Sequence, residues 1–129
     1  MSEREVDSTT ESDVDASERS EGWRRVQDEL LGDALDLDRE IARFATMAEP
    51  TRFVLLYLLA SEGQVPSGEL ADLLDRRQND LYHHLNTLED AGLVGKFREG
   101  SIRVYELTPL AERFVPQIFD SIRSRTEAV

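Results

Sequence analysis

The stretch ADLLDRRQNDLYHHLNTLEDAGLV, residues 71–94, decides the fold of this chain. Apolar side chains recur in its second half at three- and four-residue spacing, which predicts a helix over residues 77–91. The core stripe of that helix is Leu81, Leu85 and Leu88, and Gly92 is its C-terminal stop. A shorter helix, capped by Ser67, is expected before it with Leu70, Leu73 and Leu74 facing inward. The stretch therefore predicts two helices separated by a tight turn.

A β-hairpin is predicted directly after the second helix. Residues 94–98 and 102–107 read as strands on either side of the turn Glu99-Gly100-Ser101. Thr108-Pro109 then opens a last helix, which Pro116 should kink or divide. A helix-turn-helix that leads into a hairpin is typical of a winged helix, in which the second helix enters the DNA major groove. The predicted fold class is mostly α with a small β-hairpin.

The helices before this stretch are also visible in the sequence. Residues 53–63, FVLLYLLASEG, are apolar nearly all round, so they predict a buried central helix that Pro50 opens and Gly63 ends. A further helix is expected from Leu37 onward, capped by Asp36 or Asp38. The spacing from Trp23 predicts an amphipathic helix that is interrupted or ended near Gly32.

The acidic charge argues against a polyanionic partner at first sight. The chain has a formal net charge of −12 and a pI near 4.5. Half of the excess lies in residues 1–22, which hold eight acidic residues and two arginines and which we expect to be disordered. Fourteen of the fifteen basic residues are arginine, and Lys96 is the one lysine. Such a composition resembles that of salt-accumulating halophiles, especially haloarchaea; an acidic mesophilic protein with few lysines by chance is the alternative.

Several classes of protein are disfavoured by composition. The chain has no cysteine, so disulfides and thiolate chemistry are excluded. The N-terminal segment has no apolar region typical of a secretory signal. The longest apolar run, residues 53–60, is far shorter than the roughly 20 residues that a membrane span needs. These features predict a cytoplasmic protein without a membrane partner.

Residues 44–110 resemble the ArsR-type winged-helix transcriptional regulators. The segment FATMAEPTR is similar to the family's entry to its second helix, with Glu49 in place of the usual aspartate. The segments GELADLL, LYHHLNTLEDAGLV and FREGSIRVYELTP fit the family in the same order. MarR- and PadR-type regulators share much of this pattern.

The resemblance implies a symmetric dimer formed by terminal helices. It divides the chain into an acidic tail (1–22), an N-terminal dimerisation helix (23–37), a winged helix-turn-helix DNA-binding domain (38–107) and a C-terminal dimerisation helix (108–129). The implied interface residues are Trp23, Val26, Leu30, Leu31, Leu110, Phe114, Ile118, Phe119 and Ile122. Both helices carry more apolar surface than a small winged helix can cover. The alternative is that they pack on their own domain.

Three departures from the family pattern affect the expected function. The cysteine pair of the third helix and the Asp and His ligands of the last helix are missing, so no metal sensing and no cofactor are expected. The turn has Asp75 where the family favours glycine and Arg77 where it favours a serine cap. The wing has Ser101, Ile102 and Glu106 at positions that are often basic, which predicts a weaker grip on the DNA backbone.

The candidate DNA contacts lie on the second helix and on the hairpin. Asn and Gln can bond adenine bidentately, and Arg can read guanine or hold a phosphate. An Asp could accept from a cytosine amine, and basic residues on the wing would meet phosphates or the minor groove. The candidates are Arg76, Arg77, Gln78, Asn79, Asp80, Tyr82, His83, Lys96, Arg98 and Arg103. Residues 76–103 hold five basic and four acidic side chains, so this region is slightly basic within an acidic protein.

Other interpretations of these residues remain open. The two arginines of the turn could be ordinary surface cations, Tyr82 could cover the edge of the core, and Asp80 could pair with Arg76 or Arg77 or orient His84. His84 would then pack beside Leu85 rather than bind a ligand. A metal site at Asp80, His83 and His84 is disfavoured because adjacent side chains point in different directions on a helix.

Two function classes therefore compete. The first is a sequence-specific DNA-binding regulator that occupies promoter DNA as a dimer. The second is a winged-helix adaptor that contacts the transcription machinery and reads no sequence. An exposed face at Gln78, Asn79 and Tyr82 that is flanked by arginines favours DNA, whereas a covered or acidic face favours a protein partner. An enzyme is not expected, because the sequence has no phosphate-binding loop and no paired carboxylates beside an apolar pocket.

Overall fold

The computed structural model describes residues 20–128 and divides into two compact units between Glu40 and Ile41. The disordered tail expected over residues 1–22 lies outside the described residues as far as residue 19. The elements in chain order are α1 (Glu21–Arg25), a π-helical turn (Val26–Leu31), α2 (Leu37–Met47), α3 (Pro50–Glu62), β1 (Val65–Pro66), α4 (Ser67–Leu74), α5 (Gln78–Asp90), β2 (Val94–Glu99), β3 (Ile102–Leu107), α6 (Pro109–Glu112) and α7 (Val115–Ala128).

The first unit is helical and is bounded by polar caps. The Ser20 hydroxyl oxygen accepts a hydrogen bond from the Trp23 amide at 3.1 Å, so α1 begins two residues earlier than the expected start at Trp23. The π-helical turn ends at Gly32, where φ is +66°, as the sequence predicted. Of the two candidate caps for α2, Asp36 makes the contact, accepting from the Arg39 amide at 3.1 Å.

The second unit packs its helices around α3. Leu55, Leu56 and Leu59 of this helix are fully buried, which confirms it as the central helix. Pro50 occupies its first turn, where the missing N–H costs no hydrogen bond, and Gly63 with φ of +91° ends it. Leu81, Leu85 and Leu88 of α5 are buried in the same core. The predicted core stripe is therefore confirmed.

The sheet has three antiparallel strands in the order β1-β3-β2. The predicted hairpin is confirmed, with Glu99 opposite Ile102 across a turn in which Gly100 has a φ of +67°. Strand β1 was not expected. It contains two residues, and Val65 lies opposite Tyr105, so it is too short to show the alternation from which strands are predicted.

Two expectations at α4 were wrong. Ser67 is the first residue of the helix and makes no cap, because its hydroxyl donates instead to Oε1 of Gln78 at 3.0 Å. Leu73 does not face inward and is 53% exposed, whereas Leu70 is fully buried and Leu74 is half-buried. Three inward leucines would need a wider buried stripe than this helix of eight residues has.

The C-terminal helix is divided, as Pro116 predicted. Segment α6 starts behind the Thr108 cap, and α7 starts at Val115 after a break at Arg113 and Phe114. Proline lacks an amide hydrogen and is tolerated in a first turn, so Pro116 fits as the second residue of α7. Within residues 20–128, no helix is long and apolar enough to cross a membrane.

Candidate nucleic-acid interface

The turn between α4 and α5 places the second helix of the motif. Asp75 has φ of +55° and ψ of +47°, the left-handed conformation that aspartate tolerates better than most non-glycine residues. The Arg76 amide donates to the Ala71 carbonyl at 2.9 Å and closes the end of α4. Aspartate therefore accommodates the conformation for which the family favours glycine.

The start of α5 is set by backbone geometry rather than by a serine cap. Arg77 occupies the cap position in an extended conformation, and its side chain makes no capping hydrogen bond. Its Nε lies 3.8 Å from Oδ2 of Asp80, one turn into the helix. Asp80 thus pairs with Arg77, one of the interpretations left open, and the Arg77 side chain itself remains 90% exposed.

The outer face of α5 is polar and exposed. Asn79 and His83 lie on the side opposite the buried leucines, and both are exposed. Asn86 completes this face one turn further along and is also exposed. It was missed among the sequence candidates, although its spacing of seven residues from Asn79 and three from His83 places it on the same side of a helix. We refer to Asn79, His83 and Asn86 as the outer face.

Gln78 lies to the side of this face and contacts α4. Its Oε1 accepts the hydrogen bond from Ser67, and a side chain at Gly68 would meet its Nε2 at 3.6 Å. Gln78 therefore joins the two helices of the motif, although it remains exposed. The sequence placed it on the outer face; the hydrogen bond assigns it a partner within the protein as well.

Tyr82 connects α5 with the wing. The Arg103 guanidinium carbon lies 5.5 Å from the centroid of the Tyr82 ring, and Tyr82 is half-buried. This is the geometry of a cation–π contact. The neighbouring Tyr105 side chain raises the pKa of Arg103 above its ordinary value. Arg103 places a positive charge between the wing and the helix.

The remaining basic side chains of the wing are partly engaged. Lys96 Nζ lies 3.2 Å from Oε1 of Glu89 on α5, and an Arg98 nitrogen donates to the Ser101 carbonyl at 3.3 Å. Arg98 stays exposed at the hairpin end. A groove of about 390 Å³ separates the wing from the helix-turn-helix, with Arg98 and Arg103 on one wall and Ser67, Gln78 and Tyr82 on the other. The wing thus presents arginines beside α5.

His84 has a more specific environment than packing beside Leu85. Its Nδ1 lies 3.2 Å from a terminal nitrogen of Arg52 and 3.7 Å from Oε1 of Glu49, both at the start of α3. The Arg52 Nε donates to the Thr46 carbonyl at 2.7 Å, near the end of α2. The Arg52 backbone amide donates to the Glu49 carboxylate and, as the largest effect, lowers the pKa of Glu49.

The residues expected at a dimer interface differ in their exposure. Leu31 and Phe119 are buried within the chain, and Phe119 makes edge contacts with the rings of Phe53 and Tyr57 at 5.0 and 5.2 Å. Leu30 is 72% exposed and Leu110 is also exposed. The others are Trp23, Phe114, Ile118 and Ile122, which are half-buried, and Val26, which is exposed.

An exposed apolar surface lies on α2, on α6 and in the break after α6; the sequence had placed its residues Leu110 and Phe114 at an interface but not Ile41 and Phe44. Phe44 is 56% exposed, Ile41 is exposed to a similar extent, and Leu110 of α6 is exposed too. The Phe44 ring lies 5.6 Å from the ring of Phe114. We call Ile41, Phe44, Leu110 and Phe114 the α2–α6 patch.

Across residues 20–128, no group of three or more side chains is arranged to hold a metal ion.

Comparison with known proteins identifies the motif. Residues 47–94 match the model of a helix-turn-helix domain family. An uncharacterised HTH-type transcriptional regulator of Methanocaldococcus jannaschii is 30% identical over 79 residues, which are 61% of this chain and 89% of that protein. The transcriptional repressor SdpR of Bacillus subtilis is 31% identical over 64 residues, which are 50% of this chain and 70% of that protein.

The fold also matches a solved structure. A winged helix-turn-helix DNA-binding domain from Mycobacterium bovis, described as homodimeric and as a possible ArsR-family transcriptional regulator, superposes with a TM-score of 0.65. The two chains are 20% identical, and the match covers 76% of this chain and 96% of that one.

Proposed function

Because this chain belongs to the helix-turn-helix transcriptional regulators and has the winged-helix fold of their ArsR type, we propose that it binds promoter DNA as a symmetric dimer and reads base sequence with α5. A second helix of this kind enters the major groove, which is wide enough to admit it. Bound at a promoter, the dimer would block or recruit the transcription machinery.

The observation that carries this proposal is the outer face with its arginine flanks. Asn79, His83 and Asn86 are exposed and uncharged or weakly basic, so they suit base edges rather than phosphates. Arg76 and Arg77 are exposed at one end of α5, and Arg98 and Arg103 stand beside it on the wing. Of the three residues whose exposure separates the two functions, Gln78 and Asn79 are exposed and Tyr82 is half-buried. This exposure beside arginines favours DNA over a protein adaptor, for which a covered or acidic face is expected.

The acidic composition suits a particular salt environment. We propose that this regulator works in the salt-loaded cytoplasm of a halophilic archaeon, where its 27 acidic residues keep it hydrated. Phosphate contacts lose affinity steeply as salt rises, so a few arginines would add little there. Base-edge contacts and apolar burial would then supply a larger share of the affinity.

We assign the self-association surface to the α2–α6 patch. Exposed aromatic and aliphatic side chains in one patch are typical of a surface that a second copy covers. Dimeric helix-turn-helix proteins read two half-sites about one helical turn apart, and a symmetric dimer of this chain is expected to do the same.

The function is tested by fluorescence anisotropy of the full chain in about 2 M KCl, where phosphate attraction is largely screened. The DNA probes are the fragment upstream of the protein's own gene, further promoter fragments selected from genomic DNA, and scrambled fragments of equal length. We expect at least one promoter fragment to bind about tenfold or more tightly than its scrambled counterpart. Equal affinity for all fragments with a folded protein would instead support the adaptor function.

A further inference from the structure

Helix α5, which we propose reads the DNA, is held on two flanks by polar contacts. On one flank Gln78 bonds to Ser67 of α4, Tyr82 contacts Arg103 of β3, and Glu89 pairs with Lys96 of β2. On the opposite flank His84 faces the start of α3. The buried Leu81, Leu85 and Leu88 hold α5 against the core, and even a small roll about its axis would turn the outer face relative to DNA. Polar contacts on both flanks oppose such a roll.

Arg52 joins three helices at that second flank. It belongs to α3, its Nε donates to the Thr46 carbonyl of α2, and a terminal nitrogen reaches Nδ1 of His84 on α5. A guanidinium is planar and presents its donors at fixed angles, so the Thr46 bond also fixes the direction of the nitrogen that faces His84. The Glu49 carboxylate accepts from the Arg52 backbone amide at 2.9 Å and holds the start of α3.

Two groups face Nδ1 of His84, the Arg52 guanidinium at 3.2 Å and the Glu49 carboxylate at 3.7 Å. Arginine only donates hydrogen bonds, so a hydrogen bond from Arg52 needs Nδ1 as the acceptor and the ring proton on Nε2, whereas a protonated Nδ1 would face Glu49 instead. The side chain is 18% exposed, so this contact is largely shielded from water.

We propose that His84 is a positioning residue for DNA reading: its unprotonated Nδ1 accepts a hydrogen bond from Arg52, and this contact adds to the buried leucines and the opposite flank in limiting the rotation of α5 about its axis. His84 itself touches no base, because it lies on the flank of α5 that faces α3. The effect on DNA rests on the proposed function, whereas the ring tautomer does not.

Two substitutions of similar size separate this role from simple packing. The side-chain oxygen of asparagine can take the place of Nδ1, whereas the polar group of glutamine extends toward the place of Nε2. We expect His84→Asn to retain the ratio of affinities for specific and scrambled DNA to within about twofold, and His84→Gln to lower it about tenfold, a size typical of coupling between sites. Arg52→Lys, which keeps the charge but loses the planar fork, should resemble His84→Gln.

The experiment combines anisotropy titrations of the full-length variants with long-range ¹H–¹⁵N NMR of the wild-type histidine rings. An unprotonated Nδ1 on His84 and a loss in His84→Gln that His84→Asn avoids would support the inference. A protonated Nδ1 would overturn it. So would equal discrimination by His84→Asn and His84→Gln, provided that the wild type itself discriminates between specific and scrambled DNA. If the wild type shows no preference for any DNA, the proposed function fails, and the nitrogen shifts alone decide the role of Nδ1.

Discussion

At the scale of single residues, the outer face combines side chains that can read bases with few that can hold phosphates. Asn79 and Asn86 each present a donor and an acceptor, the pairing that matches an adenine edge in the major groove. Arg98 is exposed on the wing, where we expect its guanidinium to contact phosphate oxygens. These two kinds of contact should respond differently to salt.

We expect Asn79→Ala to lower sequence discrimination more than Arg98→Ala does in about 2 M KCl, because a bidentate base contact supplies roughly 1–3 kcal/mol of discrimination and a screened phosphate contact supplies little. At low salt, Arg98→Ala should weaken binding to specific and scrambled DNA alike and reduce the salt dependence. Anisotropy titrations of both variants at several salt concentrations measure this. Equal losses of discrimination at high salt would contradict the base-reading role of Asn79.

At the scale of elements, single side chains connect the end of one helix with the start of the next. The Thr108 hydroxyl donates to the Gly92 carbonyl at 2.7 Å and accepts from the Ala111 amide at 3.1 Å. It therefore caps α6 and also satisfies a carbonyl behind α5, where Gly92 turns the chain with φ of +76°. This hydroxyl ties the end of α5 to the start of α6.

Thr108→Ala should reduce the free energy of unfolding by about 1 kcal/mol, and by up to about 2 kcal/mol, because a helix cap and a second hydrogen bond are both lost. Thr108→Ser keeps the hydroxyl and is the matched control. Urea denaturation at fixed protein concentration gives the values for all three proteins. An Ala variant as stable as the Ser variant would show that water replaces both hydrogen bonds without cost.

At the scale of the whole molecule, the acidic charge and the exposed apolar side chains make opposite demands on self-association. A net charge of −12 repels a second copy, and salt screens that repulsion. Apolar burial is not weakened in this way by screening, so dimerisation through the α2–α6 patch should strengthen as salt rises. The dimer and the DNA contact would then depend on salt in opposite directions.

Phe44→Gln should raise the dimer dissociation constant at least about tenfold, because burial of a large apolar side chain contributes roughly 1.5–3 kcal/mol. Sedimentation velocity at about 0.2 and 2 M KCl would measure the constant, and an unchanged circular dichroism spectrum would show that the fold is intact. Leu30→Gln serves as the comparison, since Leu30 lies on the N-terminal helix that the sequence placed at the interface. Dissociation by Leu30→Gln alone would move the interface to that helix.

The local pattern of the sequence determined the helices, the hairpin and the break at Pro116, because apolar periodicity and backbone-limiting residues act within a few positions of the chain. It did not reveal strand β1, whose two residues pair with a strand about forty positions later. It also wrongly placed Leu73 inside and Ser67 at a cap. Neither the width of the buried stripe of α4 nor the position of the Gln78 side chain can be read from the neighbouring residues.

The same division holds for the candidate site. The residue types of Asn79 and His83 and their helical spacing sufficed to predict a polar face, although Asn86 was missed on it. Only the tertiary structure brought Arg52 to His84 across 32 positions and Arg103 to Tyr82 across the wing. Such contacts depend on how packed helices and strands bring distant side chains together. The sequence alone therefore determined which helix presents the face, and the packing of the elements around α5 decided how that helix is held.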